Sequence, residues 1–489
     1  MLSRAAEGLA LGSLSLALLG CAEAKRAAPS EPSPPAPTPA ASASAIAYKA
    51  DAVSAADPAP KVLPGGAART PASNVAPADL AAAVRANNAF AVALFAELGK
   101  SRKGENLLSS PLSASLALSM IQGGARGETA RELAAALHFG NSSNRSIFAG
   151  QNALSQLLLE RRTEALAWEN ERAFRRDPPP ASDFQLQIAN AIWAQADYPW
   201  EALYLRTVTE NYGAGLRAFD LRHEFEAARL AINTWVSVQT ADKINNLIPP
   251  GSLDRHTRMV LVNALHLKFP WAMPFAPEHT DSANFTLGDG QKGSRRFMHL
   301  QYEFEYRDDG AAQIISLPLS GERLSVLIAL PHAGISLARY LRGLHAGSAA
   351  VTVPKHEALI ALSLPKTEFT SETFSLKSAL QALGAKRAFD DELADFSGMC
   401  GHIPDGDTLY ISDVAQKTMI EVQEKGVEAA AATAVVQAVA VSAQLNPPPP
   451  PVPIPMVVNR PFLISVVDVP TGAILMLGQI NDPHAADSP

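Results

Sequence analysis

Residues 261–275 read LVNALHLKFPWAMPF, an apolar, β-rich run that ends at a proline and a tryptophan. Three more β-rich runs lie before and after it: FQLQIANAIWAQ (184–195), RLSVLIALP (323–331) and ALIALSLPKTEF (358–369). Helical segments separate these runs, and the chain ends in further β-rich sequence. This mixture of strands and helices predicts an α+β protein.

Helical periodicity is clearest where the folded part is predicted to begin. The segment DLAAAVRANNAFAVALFAEL (79–98) places its large apolar side chains roughly on one face of a helix. A second helix is predicted to begin at Pro111, since a proline in the first turn lacks only an amide donor that would be unpaired there. No repeat and no break in composition follows residue 79, so we expect one domain over residues 79–489.

The composition narrows the possible function. The chain has 489 residues, of which 47% are hydrophobic and 18% charged, as expected for a globular protein with a sizeable core. A net charge of −7 gives no reason to expect a nucleic-acid partner. Two cysteines exclude a disulfide scaffold. The motifs of serine hydrolases, zinc proteases, phosphate loops and Cys-x-x-Cys sites are missing from the sequence, so we predict neither an enzyme nor a metal or cofactor site.

The N-terminus, residues 1–20, is predicted to be an export signal. Its apolar stretch LALGSLSLALLG follows Arg4 and has the length of a signal-peptide core. The sequence LLGC resembles a bacterial lipobox, which implies lipidation of Cys21 and anchoring in the bacterial cell envelope, on an extracellular or periplasmic face. An ordinary signal peptide cut nearby is the alternative. Residues 21–78 are rich in Ala, Pro and Ser and are predicted to form a disordered tether.

Four segments in fixed order resemble one family. The segment NLLSSPLSASLALSM (106–120) resembles the serpin pattern Asn-x-x-x-Ser-Pro-x-Ser, and 261–275 resembles the family's Val-Asn-x-x-x-x-Lys-x-x-Trp-x-x-Pro-Phe. Residues 362–399 are similar to its Leu-Pro-Lys strand, helix and Asp-x-Ser-Gly turn. Residues 459–483 are similar to its closing hairpin. The resemblance covers residues 79–485 and implies a serpin fold, with about nine helices around three β-sheets and an exposed reactive-centre loop.

Residues 424–455, EKGVEAAAATAVVQAVAVSAQLNPPPPPVPIP, occupy the place of that loop. The resemblance implies that a target protease cleaves it as a substrate and is trapped as an acyl-enzyme when the loop inserts into the central sheet. The target would be a serine protease, with a cysteine protease as a further option, and the inhibitor a monomer. The hinge implied by the resemblance consists of Glu424, Gly426, Val427, Glu428, Ala429, Ala430, Ala431, Ala432 and Thr433.

The residues of this segment also fit insertion without reference to the family. An inserted strand cannot contain proline, and the chain is free of proline from residue 405 to 446. Alternate residues from Val427 are small or apolar and can face a core, while Glu428 begins the opposite set. Gly426 is expected to act as a flexible pivot. A dozen new hydrogen bonds plus apolar burial could release about 10 kcal/mol or more.

Two alternatives remain at this point. Alanine has the best helix propensity, so VEAAAATAVVQAVAVSA by itself favours a helix. The protein could also be a non-inhibitory serpin, a binding or chaperone-like module whose loop is not a trap. Bulky or charged residues at the hinge positions that would face the core would favour that second alternative, and Val427, Ala429, Ala431 and Thr433 are neither.

The resemblance places the reactive bond fourteen residues into the loop, at Ala440–Val441. A small neutral residue there suits the shallow primary pocket of elastase- or subtilisin-like proteases. It argues against trypsin-like targets, whose buried pocket charge would be left unpaired. Val439 and Ala443 are alternative positions. The prolines after Asn446 are stiff and extended and make the loop longer than usual, either as a spacer, as a second contact or as a tolerated insertion.

The resemblance also implies a cluster that controls the opening of the sheet. Ser110, Ser113 and Asn263 match this shutter, but its usual histidine is replaced by Gln416, whose amide can still donate and accept hydrogen bonds. Trp271 matches the tryptophan at the top of the sheet, where insertion begins. Core packing is an alternative role for Trp271, and the two roles are compatible.

Overall fold

The computed structural model describes residues 60–63, 65–172, 179–213, 215–401, 403, 408–427 and 452–483. Eight α-helices lie in these ranges: α1 Pro77–Ser101, α2 Pro111–Gln122, α3 Gly127–Ala136, α4 Asn144–Glu171, α5 Ala202–Tyr212, α6 Phe225–Gln239, α7 Leu337–Leu341 and α8 Lys377–Ala382. None of the helices in this part of the chain is long and apolar enough to cross a membrane.

The same ranges contain eighteen β-strands, which form two sheets of nine. They are β1 Lys61–Leu63, β2 Leu107–Ser109, β3 Gln185–Gln195, β4 Leu216–Phe219, β5 Met259–Pro270, β6 Thr280–Thr286, β7 Lys292–Asp308, β8 Ala312–Pro318, β9 Leu324–Pro331, β10 Glu357–Pro365, β11 Thr367–Thr370, β12 Phe374–Ser375, β13 Asp413–Gln416, β14 Met419–Gln423, β15 Gly426–Val427, β16 Ile454–Val457, β17 Phe462–Asp468 and β18 Ala473–Ile480.

The first sheet, here called the central sheet, has the strand order β1-β4-β3-β5-β15-β14-β11. Strand β5 lies in its middle and pairs with β3 over ten residues, Gln185–Ala194 against Lys268–Met259. Strand β13 pairs with β5 in parallel, and β12 pairs with β13. Residues 261–270 of the run LVNALHLKFPWAMPF therefore lie in the middle of this sheet.

The second sheet has the order β16-β10-β7-β8-β9-β17-β18-β2, with β6 also on β7. Strand β7 is seventeen residues long and joins two lobes. Its earlier part pairs with β6 and β10, and its last three residues pair with β8. The α+β prediction is confirmed. One central sheet and one two-lobed sheet, with eight described helices, lie close to the predicted three sheets and about nine helices.

Helix α2 shows why the sequence folds around this framework. Every residue of PLSASLALSMIQ is buried, and the small Ser and Ala side chains let the helix lie close to both sheets. Its first residue is Pro111, as predicted. On the opposite face of the central sheet, α6 packs through Ile232, Trp235 and Val236, which form a separate apolar cluster with residues of β3 and β5.

The folded part begins before the predicted boundary at residue 79. Strand β1 pairs with β4 at the edge of the central sheet. The guanidinium of Arg69 donates to the side chain of Asn152 in α4 at 2.9 Å, and the amide of Thr70 donates to the carbonyl of Glu210 in α5 at 2.9 Å. The described residues 60–63 and 65–76, within the predicted tether, thus contact the folded part, because isolated polar side chains can anchor a proline-rich segment without any hydrophobic pattern.

Candidate functional site

The hinge enters the central sheet as strand β15. Gly426 and Val427 pair in antiparallel register with Pro270 and Phe269 of β5 on one side. On the other side they pair with Gln423 and Val422 of β14. Two residues of the hinge thus already lie between the two strands that an inserted loop would separate.

The two residues of β15 are held for different reasons. Val427 is only 2% exposed and belongs to the apolar cluster beneath the sheet. Gly426 packs so closely on β5 that a Cβ atom would lie 2.4 Å from the carbonyl oxygen of Phe269. In this structure the glycine is required by space, since Gly426 is not among the residues with a positive φ.

An open stretch lies below β15. Further down, β13 pairs directly with β5 over Val260–Asn263. Between these two pairings, in the described part of the chain, no strand pairs with the edge of β5 formed by Ala264–Lys268 that faces β14. Likewise Met419–Glu421 of β14 have a described partner only in β11. A further strand could therefore add hydrogen bonds to both edges.

Trp271 and Glu424 hold the chain around β15 in place at the upper end of the open stretch. The indole Nε1 of Trp271 donates to the carbonyl of Gln423 at 2.8 Å, and its backbone amide donates to the carbonyl of Lys425 at 2.9 Å. Trp271 is buried and meets Phe275 edge to face. Its contacts serve packing and the hinge at the same time.

The carboxylate of Glu424 contacts Lys366 of the Leu-Pro-Lys segment at 3.1 Å and accepts a hydrogen bond from the hydroxyl of Thr280 at 3.1 Å. Burial by itself would raise the pKa of Glu424, but its own backbone amide, Lys366 and Thr280 together outweigh burial and place the pKa below the ordinary value. The ion pair therefore supports the top of the sheet at neutral pH, and that support is lost as the pH falls through the lowered pKa.

Gln416 is the centre of the cluster at the lower end of the opening. Its Oε1 accepts from the hydroxyl of Ser109 at 2.8 Å and from the amide of Ser110 at 3.2 Å. Its Nε2 donates at 3.0 Å to the carbonyl of Ser110 and, also at 3.0 Å, to Oδ1 of Asn263. The bond to Asn263 spans β13 and β5, so it closes the sheet at this level.

The other predicted shutter residues lie beside Gln416 with different partners. The hydroxyl of Ser110 donates to the carbonyl of Leu475, at 3.3 Å. The hydroxyl of Ser113 donates to Oδ1 of Asn190 on β3, at 2.8 Å, and Asn190 lies opposite Asn263 in the sheet register. The Nδ2 atom of Asn263 is buried without a hydrogen-bond partner among the described residues.

Sequence reasoning missed Ser109 and Asn190. Ser109 is adjacent to a predicted residue and joins the cluster because its strand β2 ends beside Gln416. Asn190 interrupts the β-rich run 184–195, and a polar residue at a core-facing position of a strand is the signal that could have pointed to it. The predicted residues Glu428–Thr433, the bond Ala440–Val441, the prolines at 447–451 and Cys21 lie outside the described residues. The end of the proline run is described, and its Pro455 lies in β16, opposite Ala361 of β10.

His266 lies on β5 beside the open stretch, and its side chain is buried. Burial first, and then the charges of Lys243 and Lys268, lower the pKa of His266 to about 4. Because the unfolded chain binds this proton near pH 6.5, His266 costs no stability above that pH and an increasing amount as the pH falls towards 4.

We expect His266→Gln to reduce the loss of the free energy of unfolding that occurs as the pH falls. The free energy of unfolding of the wild type should fall between pH 6.5 and 4 by about 3 kcal/mol more than that of the variant. Denaturant unfolding at pH 4, 5, 6 and 7 measures this. His256→Gln, at an exposed position, serves as the matched control. Identical slopes for wild type and His266→Gln would contradict the burial of a neutral imidazole.

Comparison with known proteins identifies the family. The sequence model of the serpin (serine protease inhibitor) family matches residues 85–483. Human leukocyte elastase inhibitor is 31% identical over 411 residues, which are 81% of this chain and 98% of that protein. A serpin-like protein of Thermococcus kodakarensis is 32% identical over 401 residues, with 82% and 85% covered. The crystal structure of the thermophilic serpin tengpin in the native state matches with a TM-score of 0.70, 24% identity and coverage of 87% and 100%.

The chain belongs to the serpin family. Proteins of this family typically act as inhibitors of proteases rather than as enzymes, and they act on target proteases as partners.

Proposed function

We propose that this protein is a suicide-substrate inhibitor of serine proteases with elastase- or subtilisin-like specificity. The observation that carries the proposal is the position of β15 between β5 and β14, directly above the open stretch. After cleavage at a bond that follows the hinge in the chain, the loop would need only to continue the strand register that Gly426 and Val427 already hold. The position of the hinge therefore supports insertion along this path.

If the strand register of β15 is continued along the chain, it places a suitable residue at the shutter cluster around Gln416. Thr433 lies six residues after Val427, and Asn263 lies six residues before Phe269 on β5, so the two would be opposite each other in the antiparallel register. The same step back from Val422 reaches Gln416. An inserted Thr433 would thus lie between Asn263 and Gln416, where its hydroxyl could replace the hydrogen bond that the separation of these two side chains breaks.

The specificity follows from the residue types around the proposed reactive bond. Ala440 offers a small neutral side chain to the primary pocket of the protease, which favours elastase- and subtilisin-like enzymes. One similar protein is named leukocyte elastase inhibitor, which agrees with this choice. The non-inhibitory alternative is less well supported, because the two hinge residues that lie between β5 and β14, Gly426 and Val427, are small or apolar and uncharged.

The proposed location is the bacterial cell envelope, with a lipid on Cys21 as the membrane anchor. The LLGC motif and the Ala/Pro/Ser-rich sequence up to residue 59 support this proposal. Cys21→Ala should release the protein from the membrane fraction of the producing cell while leaving inhibition unchanged. Continued sedimentation of the variant with membranes would contradict the anchor.

The proposed inhibition is tested by mixing the full chain with an elastase-type serine protease and separating the products on a denaturing gel. We expect a covalent complex of inhibitor and protease. Ala440→Arg should shift complex formation from the elastase-type enzyme to a trypsin-type enzyme, because arginine pairs with the buried charge of a trypsin pocket. Cleavage without complex at every ratio of the two proteins would contradict the proposal.

A further inference from the structure

Strand β16 is an exposed edge of the second sheet. In the described part of the chain its strand partner is β10 alone, which it joins in parallel. Its outer side chains are apolar: Val452, just before the strand, is 88% exposed, and Ile454 and Val457 are 37% and 43% exposed. An apolar edge strand with free backbone groups is a template on which another chain can add a strand.

The backbone groups of β16 alternate between β10 and the outer edge. The amide of Val458 donates to the carbonyl of Ser363 at the end of β10, at 2.9 Å. The backbone groups of Met456 and Ile454, two and four residues earlier, therefore face β10 as well. Those of the intervening Pro455 and Val457 point outward, where a further strand would have to pair.

The outward groups of Pro455 and Val457 are almost all closed to a further strand. Pro455 has no amide hydrogen, and its carbonyl accepts from Nε2 of Gln313 on β8 at 3.2 Å. The carbonyl of Val457 accepts from the amide of Asn459 at 2.9 Å. Pro453, which lies just before the strand with the same parity as Pro455, also lacks an amide donor. Proline is tolerated in a sheet at such a position, on an edge strand with its nitrogen facing outward.

Another exposed edge strand of the same sheet is protected by its side chains. Strand β6 pairs with β7 and presents Asp281, Ser282 and Asn284 to solvent. A charge on an edge strand opposes its pairing with another chain. Residues 452–459, VPIPMVVN, carry no charge, so β16 lacks that protection. Its prolines and its occupied carbonyls are the features that can replace it.

We propose that Pro453 and Pro455 close the outer edge of β16 against strand addition by a second copy of this chain. A second copy is the natural occupant, because β16 aligned antiparallel with itself about a two-fold axis forms a self-complementary pair. In such a pair each outward amide of one copy would donate to an outward carbonyl of the other. The prolines remove those donors, while Gln313 and Asn459 occupy the acceptors. The end of the proline run thus has a role that does not depend on the proposed inhibition.

Restoring the missing amides should make the protein associate through this edge. Pro453→Val combined with Pro455→Val supplies two outward donors and keeps the edge apolar, with a residue that favours strands. All variants are made in the full chain with Cys21→Ala, so that no lipid contributes to association. Light scattering after size-exclusion chromatography should give this double variant at least about twice the mass of the parent chain at equal concentration.

Matched variants separate strand addition from damage to the strand. Pro453→Lys combined with Pro455→Lys restores the same amides but places like charges on the edge, which repel a second copy. Its mass should equal that of the parent. Pro249→Val combined with Pro250→Val makes the same change of residue type at exposed positions outside the two sheets and should also leave the mass unchanged. An unchanged mass of the Pro453→Val, Pro455→Val variant would overturn the proposal. Equal association of the lysine variant would overturn it too, because the association would then not depend on pairing of an uncharged edge.

Discussion

Val427→Arg is expected to turn the protein from an inhibitor into a substrate of its target protease. Val427 is 2% exposed and lies between Phe269 of β5 and Val422 of β14. An arginine at this position would place an unpaired charge in the apolar cluster beneath the sheet. The arginine would therefore leave the sheet. The inserting strand would then lack the residue that begins its pairing with β5 and β14.

The measured quantity is the fraction of protease found in covalent complex. This fraction should fall by about tenfold or more, because each 1.4 kcal/mol added to the insertion barrier is a factor of ten in rate. Cleaved inhibitor should accumulate instead.

Val427→Thr is the matched control, since threonine keeps the branched shape, can be buried and favours a strand. It should retain the complex. A Val427→Arg variant that traps protease as well as the wild type would show that the inserting strand follows another register.

Gln416→Met should cause the largest loss of stability among single changes at the site. Methionine has a similar length but leaves three groups without a hydrogen-bond partner: the hydroxyl of Ser109, the amide of Ser110 and the side-chain oxygen of Asn263. The carbonyl of Ser110 loses Gln416 but still accepts from the amide of Ala114. Buried polar groups left unpaired cost about 1–3 kcal/mol each, and neighbouring groups share part of that cost. We expect the free energy of unfolding to fall by roughly 4 kcal/mol.

The same variant should also lose its resistance to opening of the sheet, because the bond between Gln416 and Asn263 joins β13 to β5. Incubation at 37 °C without protease should inactivate it faster than the wild type. Gln291→Met, at an exposed position between β6 and β7, is the control for the chemical change itself. Equal stability of Gln416→Met and the wild type would contradict a structural role for this cluster.

Much of the fold could be predicted from the sequence, because the sequence signals for strands and helices are local and repeated. The run 261–275 alternates between two environments up to Pro270 and Trp271, and its residues 261–270 form most of the middle strand of the central sheet. Pro111 marks the first residue of α2. The resemblance to serpins added the order of the segments, and through it the positions of Gln416 and Trp271, which periodicity alone would not single out.

What the sequence could not supply depends on contacts between distant residues. The hydrogen bonds of Gln416 reach residues more than a hundred and fifty positions away. The space around Gly426 is limited by the backbone of Phe269, and no local rule reveals such a close approach. Residues 60–76 are another case, since Arg69 is anchored by Asn152 of α4 and not by its neighbours in sequence.

The structure also gives a physical reason for the alternation of residue types in the hinge sequence. Residues at even steps from Val427 would face the apolar cluster, and those at odd steps would face α6 and its connection to β5. Alanine and threonine in the first set fit a narrow space. Glu428 begins the second set and, in the same register, would enter between Lys268 and Glu421. Its charge would have a partner in Lys268, which now pairs with Asp183 at 2.9 Å.

Melting of the intact and the nicked protein tests the central claim most directly, since the claim is that the cleaved loop enters the central sheet between β5 and β14. A trace of elastase-type protease cuts the loop, and the mass of the carboxyl-terminal fragment, separated under denaturing conditions, confirms a cut between residues 434 and 446. Insertion adds about 10 kcal/mol of hydrogen bonding and burial, so the nicked protein should melt far above the intact one. Equal melting temperatures of the two forms would contradict insertion and with it the proposed mechanism of inhibition.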